Sequence, residues 1–178
     1  MTLTIRRAAM TDALAISTLI AESARELGRS DYSEDVIEAA LKSAWGLDTQ
    51  LVADGTYFLV HVDGELAACG GWSFRKTLFG SDGLSSRDDG RLSPGKDPAR
   101  IRAFFVRPKF ARQGLGARLL AHCEQEARDA GFLTLSLGAT APGRRLYRTC
   151  GFVEGEPIDV DLGGGITIQI IPMSKMLA

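Results

Sequence analysis

Histidine is nearly absent from this chain, and with it the usual grammar of a metal site. Only His61 and His122 occur, and the three cysteines, Cys69, Cys123 and Cys150, stand far apart without a CxxC pair. The common zinc-ligand spacings are therefore missing, and no metal is expected. Thiols so placed read as reduced and mostly buried, as in a cytoplasmic protein, and not as a disulfide framework. Excess charge is also lacking: 21 basic against 22 acidic residues give a formal net charge of −1. Nucleic-acid binding through counterion release needs clustered basic charge, so no nucleic-acid partner is expected. No apolar run is long enough to cross a bilayer, and Met1-Thr2-Leu3-Thr4-Ile5-Arg6-Arg7 lacks the apolar core of a signal peptide. No membrane partner is expected either.

What is present is the composition of a globular protein. The 178 residues are 45% hydrophobic and 24% charged, which suits one domain over residues 1–178. Leu3 to Arg7 reads as a first strand. Thr11 offers an N-cap oxygen to a helix that carries Ile16, Leu19, Ile20 and Leu27 to Gly28. Ser33 caps a second helix, with Glu34 and Asp35 at its positive end and Val36, Ile37 and Leu41 available for burial. The β-branched and aromatic run Thr56 to Val62, the pair Asp63-Gly64 and the apolar run Leu66 to Phe74 predict a hairpin.

Residues 75 to 98 break this regularity. Gly80, Gly83, Gly90 and Gly95, serines 81, 85, 86 and 93 and many charges read as a long loop, either a binding loop or a surface insertion without a role. Order returns with the strand Ile101 to Val106, the turn from Arg107-Pro108, and a helix from Gly114 to Ala130 with Leu115, Leu119, Leu120, Cys123 and Ala127 on one side. Phe132 to Gly138 is the next strand. Pro142 suits the first turn of a short helix ending before Gly151, and strand-like segments at 152–161 and 165–176 meet across Gly163-Gly164-Gly165. The fold class is α/β (α+β mixed), with a mixed, mainly antiparallel sheet of about six to seven strands and about four helices.

Chemistry concentrates at Arg112-Gln113-Gly114-Leu115-Gly116-Ala117, between a strand and an amphipathic helix. Two glycines let the backbone turn tightly, and the first free N–H groups of the helix form an anion site suited to a pyrophosphate. A plain tight turn explains the same glycines. The wider run Val106-Arg107-Pro108-Lys109-Phe110-Ala111-Arg112-Gln113-Gly114-Leu115-Gly116-Ala117-Arg118-Leu119-Leu120 resembles the coenzyme A-binding motif of the GNAT superfamily of N-acetyltransferases. Leu146-Tyr147-Arg148-Thr149-Cys150-Gly151-Phe152 resembles that superfamily's later LYxxxGF element. Two departures stand out: Ala111 fills a slot where the family often has Arg or Gln, and Thr140 one where it often has Asn.

The resemblance implies an enzyme that moves an acetyl group from acetyl-CoA, as cosubstrate, to a small-molecule or peptide amine. It implies that the strand through Phe104, Phe105 and Val106 splays from the strand at 132–138 to admit the pantetheine arm. Pyrophosphate is then expected on the amides of Gln113, Gly114, Leu115, Gly116 and Ala117, with Arg112 beside them. The Val106 N–H is the candidate donor to the tetrahedral oxyanion, and Thr140 either binds coenzyme A or, as favoured, caps the short helix. Tyr147 is the expected general acid, since a phenol with a reference pKa of about 10 keeps its proton near neutrality and can protonate the leaving thiolate. Cys150 reads as core packing. Among candidate bases, Glu22, Tyr32, Asp97 and His61 remain open.

Period-two alternation places Arg100, Arg102 and Phe104 on one face of their strand and Ile101, Ala103 and Phe105 on the other. If the arginines face the acceptor, an anionic amine is favoured; otherwise they pair with the acidic loop at 82–97. Trp72 either walls the acceptor pocket or fills the core. Arg144 and Arg145 either reach the adenosine 3′-phosphate or are solvated. Family members often pair, which leaves a homodimer as an expectation. Two rival readings remain. One is a GNAT-like sensor that binds acetyl-CoA without turnover; the other is a nucleotide-phosphate enzyme, which would lack both the P-loop lysine and the full GxGxxG.

Overall fold

The computed structural model describes residues 1–84 and 87–178; Ser85 and Ser86, read above as part of the long loop, lie outside the described residues. Three strands form an antiparallel meander: β1 (Leu3–Arg7), β2 (Tyr57–Val62) and β3 (Glu65–Ser73). The β2–β3 turn is the Asp63-Gly64 pair, both residues left-handed at φ 49° and 83°, as a two-residue hairpin demands. β4 (Ala99–Val106) adds antiparallel to β3, and β5 (Thr134–Ala139) lies parallel to β4. β8 (Ile166–Met176) follows β5, then β6 (Val153–Glu154), while β7 (Ile158–Gly163) also pairs with β8. Eight strands are thus present among the described residues, and Pro157 separates β6 from β7 where the sequence predicted one segment.

Five α-helices accompany them among the described residues. α1 (Ala13–Gly28) and α2 (Glu34–Ser43) cover one face of the sheet with α3 (Thr49–Ala53), while α4 (Leu115–Asp129) and α5 (Arg144–Thr149) lie on the other. Ser33 caps α2 as predicted, its hydroxyl accepting from the Val36 N–H. Thr11 does not cap α1. Met10–Asp12 form a 3-10 turn and Asp12 is the N-cap, its carboxylate turned back to accept from the Ala9 N–H at 2.8 Å and to pair with Arg6. The longer, charged side chain reaches the free amide upstream of the turn, which a threonine one residue earlier does not. α3 was not foreseen; Asp48 starts it by accepting from the Gln50 and Leu51 N–H groups.

Strands β2, β3, β4 and β8 each feed two cores. Phe58, Val60 and Val62 of β2 join the cluster under α4, whereas Tyr57 and Leu59 join the one under α1 and α2, the alternation a pleated strand imposes. Trp72 belongs to the α4 core, edge-on to Phe74 and Phe132.

In β4 the alternation fails. Cys69 pairs with Phe105 and Gly71 with Arg102, so Ala103 and Phe104 both stand opposite Gly70. Ala103 takes a left-handed φ of 54°, and its carbonyl is satisfied across the sheet by the Tyr57 hydroxyl at 3.0 Å. This bulge shifts the phase of the strand by one residue. Ile101 and Phe104 consequently share the α4 face, and Ala103 and Phe105 face α1 and α2, correcting the predicted grouping of Phe104 with the arginines.

Candidate active site

The bulge sits where β4 leaves β5. The two strands pair only at Ala99 with Leu135 and Arg100 with Ser136, and diverge beyond. Into this wedge opens a cleft of about 780 Å3 that passes from one face of the sheet to the other. Its walls include Phe104, Leu115 and Tyr147 from the α4 core and Trp45, Phe79 and Phe105 from the opposite core. Arg107 N–H donates to the Ala67 carbonyl at 2.8 Å, and antiparallel alternation then turns the amide of Val106 away from β3, toward the wedge.

At one end of the cleft the chain rounds Pro108–Phe110 and enters α4 through Arg112 at φ 62° and Gly114 at φ 79°. Gly114 is the N-cap, and no side chain caps the helix. The first amides of α4 and the positive end of its dipole therefore meet the cleft without a protein acceptor built for them. Gly116 is needed for a second reason: a Cβ there would stand 2.9 Å from a Leu146 methyl, closing α4 against α5. Of the residues expected around a cofactor, Phe104, Phe105, Val106, Arg112, Gly114, Leu115, Gly116, Ala117, Thr140 and Tyr147 all line the cleft. Gln113 does not; its side-chain amide donates to the Lys109 carbonyl at 3.2 Å.

Tyr147 is 8% exposed, its ring set between those of Phe104 and Phe152. Burial raises its phenol well above the ordinary value of about 10, with nearby Cys123 and Cys150 adding to the effect. Cys150 is half-buried and packs against the α4 core. Thr140 does not cap the short helix as expected: Gly143 is the N-cap without a side-chain partner, and the Thr140 carbonyl accepts from the N–H groups of Gly143 and Arg144 in the preceding turn, leaving its side chain beside the cleft. Arg144 is tied to Glu154, whose carboxyl the guanidinium pulls down to about 2, while Arg145 lines the cleft.

The four candidate bases scatter. His61 lies on β2, where burial and then Arg6 lower its pKa, and Asp97 accepts from the Ser93 N–H. Glu22 pairs with Arg107 at 3.2 Å, and the Tyr32 hydroxyl accepts from the Ala141 N–H at 2.8 Å. None of the four lines the cleft; Asp31, overlooked in the sequence, is the one carboxylate that does among the described residues.

Arg102 does not offer its charge to the cleft. It is 3% exposed and donates to Asp48 at 2.8 Å, to the Thr77 carbonyl and to the Gly80 carbonyl. Arg87 reaches the same Asp48 carboxylate. The predicted partner for Arg102, the acidic stretch at 82–97, is thus replaced by Asp48 and loop carbonyls, because the segment at 77–80 lies directly on the strand. Arg100 likewise donates to the Lys76 carbonyl and the Ser136 hydroxyl. The loop's beginning is part of the site: Leu78, Phe79 and Gly80 wall the cleft.

The sequence model of the acetyltransferase (GNAT) family matches residues 18–152. No curated protein matches significantly. Among solved structures, the chain is similar to a GCN5-related N-acetyltransferase from Rhodopseudomonas palustris, with a TM-score of 0.73 at 19% identity over 99% of this chain and 97% of that one. It is also similar to PaiA N-acetyltransferase from Thermoplasma acidophilum in complex with coenzyme A, with a TM-score of 0.65 at 16% identity over 99% of both chains. Ard1 from Thermoplasma volcanium gives 0.63 at 16% identity over 100% of this chain and 99% of that one. At such identities the structural likeness speaks for the fold, while the family match spans most of the sequence. The chain belongs to the GNAT family of acetyltransferases.

Proposed function

We propose that residues 1–178 form one catalytic unit that transfers an acetyl group from acetyl-CoA to a primary amine by direct attack, without a covalent enzyme intermediate. The observation that carries this reading is the wedge between β4 and β5, open at once to the uncapped start of α4 and to Tyr147. The donor set there fits a diphosphate: the amides of Gly114 to Ala117 supply hydrogen-bond donors, with Arg112 and Arg145 at the rim. Phe104 and Phe105 flank the path of the pantetheine arm. The Val106 N–H is aimed at the oxygen that gains charge when the amine nitrogen bonds to the thioester carbon.

Tyr147 protonates the departing sulfur as the C–S bond breaks, so the thiol leaves neutral. Burial keeps the phenol protonated while the acceptor amine loses its own proton, so its hydrogen is present when charge develops on the sulfur. Activity is accordingly expected to climb with pH as the amine deprotonates, without a downturn at a phenol's ordinary value of about 10. Tyr147→Phe is expected to lower kcat about 100-fold with the KM for acetyl-CoA little changed, as read by thiol release. Unchanged turnover would remove Tyr147 from the chemistry, and no thiol release from wild-type protein with any amine would reduce the domain to a sensor.

A further inference from the structure

The cleft offers its two faces to two different ligands. The α4 side carries the amides, Arg112, Arg145 and Tyr147, and in the acetyl-transfer reading the cosubstrate takes it. The acceptor must then approach from the α1 and α2 side, whose lining is of another character. Ala24, Leu27, Ala44, Trp45, Leu78 and Phe79 make it mainly apolar, with Ser23, Ser30 and Asp31 as polar neighbours. The cation on this side among the described lining residues, Arg102, has its charge consumed by Asp48 and its remaining donors by the Thr77 and Gly80 carbonyls. A carboxylate entering here would lose its hydration and find no free cation to pair with, a cost of several kcal/mol.

One charge does remain free to act. Asp31 is exposed at the mouth and lines the cleft, next to Tyr32, whose hydroxyl is fixed to Ala141 just beyond the end of β5. That bond holds the α1–α2 connection over the wedge, so the carboxylate stands where an ammonium group would enter.

The loop segment at 79–82 is pinned along this side. Ser81 donates to the Ser43 carbonyl at 2.7 Å, and the Asp82 N–H to the Leu47 carbonyl at 3.2 Å. Phe79 lies over Gly138 of β5, where a Cβ would meet its own Cβ at 3.4 Å. An amine in the middle of an extended polypeptide needs a groove that runs through; a small molecule needs only a pocket.

We infer that the acceptor is a small apolar primary amine bearing no carboxylate, its tail held by Trp45, Leu78 and Phe79 and its ammonium drawn in by Asp31. This rests on the acetyl-transfer reading and narrows it. It also reverses the anionic acceptor that an arginine-bearing face of β4 would favour.

The test compares 2-phenylethylamine with phenylalanine, which differ by one carboxylate, and with a peptide bearing a free N-terminus, by thiol release from acetyl-CoA. A preference for 2-phenylethylamine on the order of 100-fold in kcat/KM is expected. Phe79→Ala, with Phe79→Leu as the gentler change, should raise the KM for 2-phenylethylamine about 10-fold and leave that for acetyl-CoA in place. Asp31→Asn should raise the amine KM and weaken its salt dependence. A coenzyme A thermal shift, run alongside, reports on the cosubstrate side separately. Its absence from wild-type protein would overturn acetyl transfer itself. Its presence with equal or better use of phenylalanine or the peptide, or with no apolar amine turned over, overturns only the acceptor assigned here.

Discussion

The two faces of the split sheet are built by different means. On the α4 side, the groups offered to a ligand are peptide amides, positioned by Gly114 and by the close approach that Gly116 permits. On the α1 and α2 side, the shape is set by side chains from distant segments, gathered around the buried Asp48 and the two guanidiniums of Arg87 and Arg102. A surface meant for one invariant ligand can be written into the backbone over a few consecutive residues. A surface that selects among amines is written in contacts between residues far apart in sequence, and can be altered without touching the first.

That contrast is open to attack, most forcefully at Asp48. Asp48→Ala leaves the buried Arg102 guanidinium without its carboxylate, takes one of three from Arg87 and removes the cap of α3, and should cost about 3–5 kcal/mol in urea unfolding. A loss near zero would show that the acceptor side is held by packing alone. Next in size is Gly70→Ala. Its Cβ would fall 2.3 Å from the Phe104 ring, so the ring must move, at about 1–3 kcal/mol of stability. Because Phe104 flanks Tyr147, a matching fall in kcat is expected even though Gly70 touches neither ligand; stability lost with kcat intact would separate the bulge from the chemistry.

Gly114→Ala is milder. Nothing lies within 4 Å of the added carbon, so the cost is the left-handed backbone, about 1 kcal/mol. Calorimetry should show weaker acetyl-CoA binding with the amine KM unmoved, and the reverse pattern would exchange the roles of the two faces. The smallest effect is assigned to Asp12, remote from both. Its hydrogen-bonded pairing with Arg6 lowers its pKa to about 2. A carboxyl depressed in the folded state stabilises above its unfolded value and loses that contribution as pH falls through the folded one. The stability gap between wild type and Asp12→Asn should therefore be fullest above about pH 4 and shrink toward pH 2, followed by thermal melts.

The sequence exposes whatever depends on neighbours in the chain. Strands alternating around Asp63-Gly64, the glycine turn before α4 and the Ser33 cap are all local, and all were legible. So was the tyrosine of the LYxxxGF element, through likeness to a family. Position along the chain did not reveal α3, whose five residues carry too little periodicity, although Asp48 before Thr49 is a start signal. It also could not reveal the bulge, since nothing about alanine announces a left-handed φ at position 103. Asp31 and Phe79 were passed over because a charge after a helix and a ring in a serine- and glycine-rich loop gain meaning only once the fold brings them to one cleft. The Thr140 cap fails because the short helix takes Gly143, three residues on, as its N-cap.

The phenol of Tyr57 ends in the core, 46 positions before the carbonyl it satisfies at Ala103. Without it, a strand that turns its peptide out of register would leave a bare oxygen in apolar surroundings, and the cheaper course would be to stay zipped to its neighbour. The doorway of this enzyme is propped from behind, by a residue no ligand ever meets. Screening for lost function around the cleft alone would overlook that prop.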